Sequence, residues 1–468
     1  MMYGLALCSA LKVLRSRPCS RFIMFAYTIN PFFVMTISRY VIAALMIFFC
    51  FPLPLLAAEG GEYITIRKEG SGKIALVLNK LEAPVKEGSR PAQSLDTIIR
   101  DGLDFTGQFT MISPPLHVKN NSNPDNVVLN FGALDSVGAA VYAGGSVSNT
   151  LGNISLDMEV YDTSGAKLLL KKTYHGKQQQ LRTIGHAFCA DLVKLLTGKQ
   201  SVFGSKIVFV SNKSGFKEIY ECDFDGHELR QLTNSHSIAL TPSLSPDGRF
   251  LAFTDFSSGH PALAVKNLSD GKLLTINKSG ISIDPGWRNR TEVATTLSFE
   301  GDQELYLVKV DGTISRRLTF SKGIDLSPSF SPDGSKMAYV SDRNGLPQIF
   351  IEDLLSGQVS RLTFSGRYNT QPSWSPAGDK IAYTTWESGG EINIFSIGAD
   401  GSGLKQLTGN SGENESPSWS PDGRMIVFAS NRNGSKKLYI MGATGENQRP
   451  LLQSEGEQMQ PCWSLFAQ

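Results

Sequence analysis

Carboxylates recur in a repeated tetrapeptide of this 468-residue chain, where they could act as acid–base groups or metal ligands. Asp247, Asp333 and Asp422 each belong to a Ser-Pro-Asp-Gly segment, and Ala377 replaces the aspartate in a further copy. Ser, Pro and Gly stand at the first, second and fourth positions of a type I turn, where the backbone favours each of them. We therefore predict that these aspartates shape turns and neither catalyse a reaction nor bind a metal.

The sequence offers no other catalytic pattern. The segment "AGGSVSN" comes nearest to the G-x-S-x-G nucleophile motif and fails at Ser148, and there is no phosphate loop or dinucleotide fingerprint. None of the six histidines has a partner at the i, i+4 spacing that is typical of metal ligands. They are His117, His175, His186, His227, His236 and His260. We expect no catalytic residue, no metal site and no cofactor.

The turns belong to a repeat of about 44 residues. Its aligned prolines are Pro242, Pro285, Pro328, Pro372, Pro417 and Pro461, at spacings of 43, 43, 44, 45 and 44 residues. This is the period of a four-stranded propeller blade. The strand "KMAYV" after one turn is apolar on both faces, as expected when a blade is stacked between two neighbours. The same stacking predicts that Trp374, Trp419 and Trp463 pack between blades, and the second unit departs from the pattern at 288–290.

Counting strands predicts a closed ring of six blades. The last unit, "PCWSLFAQ", supplies one strand, whereas the segment from Ser205 to Thr233 supplies three strands that lack a first. Pairing them completes a sixth blade and removes two free edges.

The segment before the propeller follows a different pattern. A helix is predicted with Leu95, Ile98, Ile99 and Leu103 on one face, followed by several strands and by a second helix that ends at Gly198. The predicted fold class is α+β multidomain, with a small N-terminal α/β domain at 59–200 and a six-bladed β-propeller at 201–468.

Residues 1–58 have the features of an extension followed by a cleaved export signal. An apolar run from Tyr40 to Leu56 follows Arg39 and ends at Ala57 and Ala58. The alternative is a membrane anchor that is retained, but two prolines and the lack of a charged stop favour cleavage. Met1, Met24 and Met35 remain open as starts. We expect the mature protein in the periplasm, soluble and monomeric.

The charge and the cysteines exclude further classes. Residues 1–58 contain five basic residues and no acidic one, so the remainder has 40 basic and 43 acidic residues. A body with this balance does not predict a phosphate-binding surface, and nucleic acid is excluded as a partner. Cys189, Cys222 and Cys462 are too few and too widely spaced for a disulfide framework or a metal site.

An export signal, an α/β domain ending in "LRTIGHAFCADLVKLLTG" and repeats of the P-S-W-S-P-D-G kind together resemble the TolB family of the Tol–Pal system. The resemblance implies a non-enzymatic adaptor that supports outer-membrane integrity and the inward movement of the outer membrane at division. It implies the lipoprotein Pal as a partner at the propeller mouth and TolA at the N-terminal end. Other outer-membrane lipoproteins or porins are further candidates. The alternative function is a propeller enzyme or a lyase- or peptidase-associated domain acting on a small substrate.

The loops before the inner strands are predicted to converge on the channel mouth. They differ in chemistry from blade to blade, as a rim for an asymmetric partner requires. The predicted Pal contacts are Leu240, Thr241, Asp284, Asp325, Ser327, Thr370, Gln371, Glu415, Met459 and Gln460. The resemblance assigns TolA binding to the N-terminal tail, a mobile segment or an added strand, formed by Glu59, Gly60, Gly61, Glu62 and Tyr63.

Overall fold

The N-terminal part of the chain folds around a five-stranded mixed sheet. The computed structural model describes residues 72–83, 89–116, 118–120, 128–276, 282–298 and 302–464. Its strands are β1 (Ile74–Leu78), β2 (Phe109–Ile112), β5 (Val141–Thr150), β6 (Asn153–Asp162) and β7 (Lys167–Lys177); β3 (Lys119–Asn120) and β4 (Val128–Leu129) form a separate pair. The sheet has the order β2-β1-β5-β6-β7, with β1 parallel to β2 and β5, and antiparallel pairing from β5 to β7.

Two long helices, α1 (Ser89–Phe105) and α3 (Leu181–Thr197), pack together and contact this sheet. Leu95, Ile99 and Leu103 are buried as predicted, and Gly198 ends α3 in the left-handed conformation at φ 69°. The short helix α2 (Phe131–Ser136) contributes Leu134 to a second core with Val77 of β1. The predicted α/β character of this part is confirmed.

The rest of the described chain forms six antiparallel four-stranded blades. Blade 1 contains β11 (Ala239–Leu244), β12 (Phe250–Asp255), β13 (Ala262–Asn267) and β14 (Leu273–Ile276). Blade 2 contains β15 (Ser282–Trp287), β16 (Glu292–Leu297), β17 (Glu304–Lys309) and β18 (Ile314–Arg317). Blade 3 contains β19 (Asp325–Phe330), β20 (Lys336–Ser341), β21 (Gln348–Asp353) and β22 (Val359–Arg361).

Blades 4 to 6 follow the same plan. Blade 4 contains β23 (Tyr368–Trp374), β24 (Lys380–Trp386), β25 (Ile392–Gly398) and β26 (Lys405–Gln406). Blade 5 contains β27 (Asn414–Trp419), β28 (Met425–Ser430), β29 (Lys437–Gly442) and β30 (Arg449–Pro450). Blade 6 contains β8 (Lys206–Ser211), β9 (Glu218–Asp223), β10 (Arg230–Gln231) and β31 (Gln458–Trp463).

The ring closes as the strand count predicted. The C-terminal strand β31 pairs antiparallel with β8, with Trp463 opposite Ile207. The six inner strands contact one another in the order β11, β15, β19, β23, β27 and β31, and β31 contacts β11 again. Six blades around one axis are confirmed.

Large apolar side chains fill the space between blades. Trp374 belongs to a cluster that joins blades 3 and 4, and Trp419 to one that joins blades 4 and 5. Trp463 of blade 6 lies in the largest cluster, which also contains residues of blade 5 and of the α/β part. The prediction that these tryptophans pack between blades is confirmed. Because the two parts share this cluster, the residues described from Gly72 onward form one compact unit.

Candidate functional site

The wall around the propeller axis consists of the first strand of each blade. The ten residues predicted as Pal contacts belong to these strands and are not in loops before them, which corrects the prediction. Each strand begins three or four residues ahead of its aligned proline, and the chain is already hydrogen-bonded there. The proline therefore lies inside the strand.

A proline can occupy these inner strands because each contains a bulge. The pairing register shifts between the second residue before the proline and the residue after it in all six strands, as between Leu240 and Ser243. Proline has no backbone N–H to donate. At a bulge the ladder needs no hydrogen bond from that position, so the proline is tolerated.

The residue before each proline has a left-handed backbone, and none of the six is glycine. Their φ angles lie between 50° and 56°, and they are Thr241, Asp284, Ser327, Gln371, Ser416 and Gln460. Such a conformation is uncommon for residues with a Cβ atom and persists where surrounding contacts hold it. Six equivalent bulges therefore form a ring of fixed backbone that presents unlike side chains.

Side chains of this ring connect neighbouring blades. Oε1 of Gln460 accepts from the Thr241 amide at 2.9 Å, and Oε1 of Gln371 accepts from the Ser416 amide at 3.0 Å. The Ser327 hydroxyl donates to Oδ2 of Asp284 at 2.9 Å. In each case a polar side chain forms a hydrogen bond with a group of the neighbouring blade. These hydrogen bonds hold the ring in place without a bound partner.

Nine of the ten predicted contacts are half-buried, as expected for a wall around an axis. The exception is Asp325, which has no exposed area and is bound to Arg343 at 3.0 Å. A carboxylate enclosed in this way cannot contact a partner directly, so its expected contact role is corrected. Asp325 instead joins the first strand of blade 3 to the loop after β20.

Asp325 belongs to a recurring polar network just outside the wall. At the same position in the next blades, Asn369 donates to Oε1 of Gln348 at 2.7 Å and Asn414 donates to Oδ1 of Asn393 at 3.2 Å. All of these side chains are buried. Because buried polar groups without partners are costly, this network fixes how adjacent blades meet.

Two carboxylates give the wall its charge pattern. Burial raises the pKa of Asp284, and the hydrogen bond from Ser327 offsets part of that rise. Glu415 is paired with Lys436 at 2.6 Å. One carboxylate of the wall is thus held only by a hydroxyl, whereas the other is neutralised by an ammonium group.

The sequence reasoning missed three members of the wall. Ile283 and Leu326 occupy the position of Leu240, and Ser416 occupies that of Gln371. The aligned prolines could have identified them, because the residues one and two positions before each proline are the complete set of wall residues.

The Ser-Pro-Asp-Gly aspartates are turn residues, as predicted. Asp333 accepts from the Ser331 hydroxyl at 2.5 Å and from the Ser335 hydroxyl at 2.7 Å, and these bonds lower its pKa to about 2. Within the described ranges, no group of three or more His, Cys, Asp or Glu residues could hold a metal ion. No described helix is long and apolar enough to cross a membrane. The tail residues Glu59 to Tyr63 lie outside the described residues.

Comparison with known families matches both parts of the chain. The profile described as "TolB beta propeller domain" matches residues 193–467, and that described as "TolB amino-terminal domain" matches residues 62–169.

Individual relatives and a solved structure agree with these profiles. A protein described as a TolB homolog from Chlorobium luteolum is 62% identical over 89% of this chain and 95% of its own length. Its counterpart from Chlorobaculum tepidum is 57% identical over 83% of this chain and 89% of its own length. The crystal structure of TolB from Acinetobacter baumannii is 25% identical, covers 84% of this chain and 96% of its own, and has a TM-score of 0.72. A relative from Desulfosudis oleivorans, 39% identical over 60% of this chain and 64% of its own length, is described as a Tol-Pal system protein. The chain belongs to the TolB family of the Tol–Pal system.

Proposed function

We propose that this protein is a non-enzymatic adaptor of the Tol–Pal system that binds the lipoprotein Pal at the mouth of its propeller channel. The observation that carries this proposal is the ring of left-handed residues. It combines a rigid, repeated backbone with side chains that differ from blade to blade. A rigid surface loses little entropy on association, and unlike side chains allow an asymmetric partner to bind in one orientation.

The wall contains both apolar and polar candidates for direct contact. Leu240 and Met459 are half-buried apolar residues, and Thr370, Gln371 and Glu415 are half-buried polar ones. A few residues usually provide most of the binding energy of an interface, typically those that become fully desolvated. We expect one or two of these positions to provide most of the binding free energy.

The test is titration calorimetry of single alanine variants against a soluble Pal domain. Met459→Ala, Leu240→Ala and Glu415→Ala should include at least one variant that loses about 2 kcal/mol of binding free energy. Asp422→Ala changes a turn on the opposite face and serves as the control. If the control weakens binding and none of the wall variants does, Pal binds elsewhere.

The N-terminal tail from Glu59 to Tyr63 is proposed as the TolA contact, on the strength of family membership and its place ahead of the first strand. Deleting these five residues should leave the melting temperature unchanged and weaken capture by immobilised TolA. Unaltered capture would refute this assignment.

The proposal includes a periplasmic location after removal of residues 1–58, and a role in outer-membrane integrity and division. Intact-mass analysis of the periplasmic fraction should find a chain that begins at Ala58 or Glu59. A membrane-bound form that retains 40–56 would contradict it. Loss of the gene product should release periplasmic proteins into the medium, and restored retention by the wild-type chain but not by wall variants would link that role to the channel.

A further inference from the structure

Exposed apolar and cationic side chains lie together at one end of blade 3, outside the channel wall. We call this the blade 3 patch, and its residues are Phe320, Lys322, Leu346, Arg361, Phe364 and Arg367. Phe320 and Phe364 are 75% and 74% exposed, and Leu346 is 47% exposed. Five of the six lie in loops next to strand ends at one edge of the blade, the edge at which the channel wall begins, and Arg361, which is half-buried, is the last residue of β22.

Contacts between the loops hold the patch in place. The Ile324 amide donates to Oδ1 of Asp342 at 2.7 Å, and the Asn369 amide donates to the Pro347 carbonyl at 3.0 Å. These bonds join the loop containing Phe320 and the loop containing Phe364 to the loop between them, which contains Leu346. The exposed side chains therefore project from anchored loops.

Phe320 and Phe364 are equivalent residues of successive blades, and each lies under an arginine. The guanidinium carbons of Arg317 and Arg361 are 4.8 Å and 4.9 Å from the centres of the respective rings. Each arginine also donates Nε to the carbonyl of a threonine, Thr319 or Thr363. The repeat thus produces two copies of one cation–aromatic element.

The two copies differ in charge balance. Arg317 is paired with Glu304 at 2.9 Å, but the position of Glu304 in blade 3 is Gln348, whose Oε1 accepts from Thr363 and Asn369. Among the described residues, Arg361 has no carboxylate within ion-pair distance. The substitution of an amide for a carboxylate leaves one positive charge uncompensated at the blade edge.

Lys322 and Arg367 are exposed and likewise have no ion-pair partner among the described residues. Of the neighbouring carboxylates, Asp342 accepts from the Ile324 amide and Glu387 accepts from Asn393 at 3.1 Å, while Glu391 is exposed. The corresponding loops before blades 5 and 6 instead contain acidic residues, which are Glu413, Glu455 and Glu457. Lys322 and Arg367 therefore add two exposed positive charges to the patch.

A recess lies beside the patch, between the outer parts of blades 3 and 4. It has a volume of about 530 Å³ and is lined by residues that include Arg361, Phe364, Tyr383 and Leu404, and by one carboxylate, Asp400. Among the described strands, the outer strand β22 pairs with β21 alone, so its other backbone edge has no strand partner. An extended segment can use such an edge for main-chain hydrogen bonds and such a recess for a side chain.

We propose that the blade 3 patch and the adjoining recess bind an extended, acidic polypeptide segment with apolar side chains. Its carboxylates pair with Arg361, Arg367 and Lys322, and its apolar side chains pack against Phe364 and into the recess. A lipid surface fits less well, because the arginine stacked on each phenylalanine would have to enter hydrocarbon with the ring. The proposal does not depend on which protein occupies the channel.

Fluorescence anisotropy tests the proposal with a labelled twelve-residue peptide that alternates Asp or Glu with Phe or Leu. We expect saturable binding that weakens with added salt. Arg361→Glu and Phe364→Ala should each weaken it about tenfold, which corresponds to about 1.4 kcal/mol. Phe216→Ala, which removes a 43% exposed phenylalanine of blade 6, is the matched control and should leave binding unchanged.

Three results would overturn the proposal. The first is the absence of saturable binding, and the second is equal binding of a peptide in which every acid is replaced by lysine. The third is binding of phosphatidylglycerol vesicles that is lost in the same two variants, which would assign the patch to a membrane. Titration of Arg361→Glu and Phe364→Ala with soluble Pal should give wild-type affinity, and a parallel loss would place the patch within the Pal site instead.

Discussion

The backbone amide of Thr241 donates to Oε1 of Gln460 over 2.9 Å, although the two residues are 219 positions apart. Gln460 lies in β31, the strand that completes blade 6, and Thr241 lies in the first strand of blade 1. The same strand places Trp463 so that its Nε1 donates to the Ser205 hydroxyl at 2.9 Å. One short C-terminal strand therefore completes a blade, a polar ring and an apolar core together.

Removing Pro461 to Gln468 should open the ring. The deletion removes the second half of β31, leaves the backbone groups of Ile207 and Val208 in β8 without partners, and removes the buried Trp463. We expect aggregation or loss of the cooperative thermal transition. Trp463→Ala is the milder version and should cost about 3–5 kcal/mol of unfolding free energy. Trp386→Ala, at a 39% exposed tryptophan, is the control. A truncated chain that melts like the full-length one would show that β31 is dispensable.

Gln460→Ala should destabilise the ring without removing a large side chain. The variant leaves the half-buried Thr241 amide without its acceptor, at a cost of about 1–3 kcal/mol. Gln460→Glu retains an acceptor oxygen and should recover most of that loss. Chemical denaturation followed by circular dichroism measures both, and equal stability of the alanine variant and the wild type would mean that water replaces the side chain.

The sequence predicted the blade number and the ring closure because both follow from a period. Spacings between the aligned prolines identify a blade, and the single strand "PCWSLFAQ" can only pair with the three strands from Ser205. The same alignment located the channel wall to within one or two residues. It could not show that the chain is already in a strand at Leu240, because a bulge changes register without changing composition.

The burial of Asp325 could not be predicted from its neighbours in sequence. It depends on Arg343, which lies 18 residues later and belongs to the loop after β20. The sequence does not reveal the left-handed backbone of Gln371 or Gln460 either, since a Cβ atom disfavours it and hydrogen bonds to distant residues help to maintain it. Contacts between residues that are distant in sequence therefore determine the burial of Asp325 and the backbone conformation of these glutamines, and the local sequence pattern does not predict either.

Breaking the ion pair between α3 and blade 6 should loosen the joint between the α/β part and the propeller. Arg182 is 2.6 Å from Asp225, and both side chains are mostly buried. Burial alone would raise the pKa of Asp225, but Arg182 outweighs it and holds that pKa below its usual value. Arg182→Ala should cost about 2 kcal/mol because it leaves the carboxylate without its partner.

Calorimetry compares the effect of breaking this ion pair with the effect of breaking an ion pair at the surface. Lys171→Ala breaks an exposed ion pair with Glu159 and should change stability by less than about 1 kcal/mol. Arg182→Met combined with Asp225→Asn removes both charges and should restore much of the lost stability. If the double variant is no better than Arg182→Ala, the loss comes from packing and not from the unpaired charge.

Glu352 should make stability depend on pH between about 4.5 and 7. Burial raises the pKa of this carboxyl, only 9% exposed in β21, from 4.5 to about 7, although Arg343 and Arg316 act in the opposite direction. A folded-state pKa above the unfolded value means that the folded chain binds the proton more tightly. The stability contributed by this group is complete below about pH 4.5 and is lost as the pH rises through 7. The loss is at most about 3.5 kcal/mol, since the pKa rises from 4.5 to about 7 and one pKa unit corresponds to about 1.4 kcal/mol.

Glu352→Gln isolates this effect because the amide stays neutral at every pH. Urea unfolding should show the variant more stable than the wild type at pH 8 and nearly equal to it at pH 4.5. Glu413→Gln, whose side chain is 44% exposed, should show no such pH-dependent difference. A gain at pH 8 that persists undiminished at pH 4.5 would mean that the glutamine packs better, and that the charge of Glu352 is not the cause.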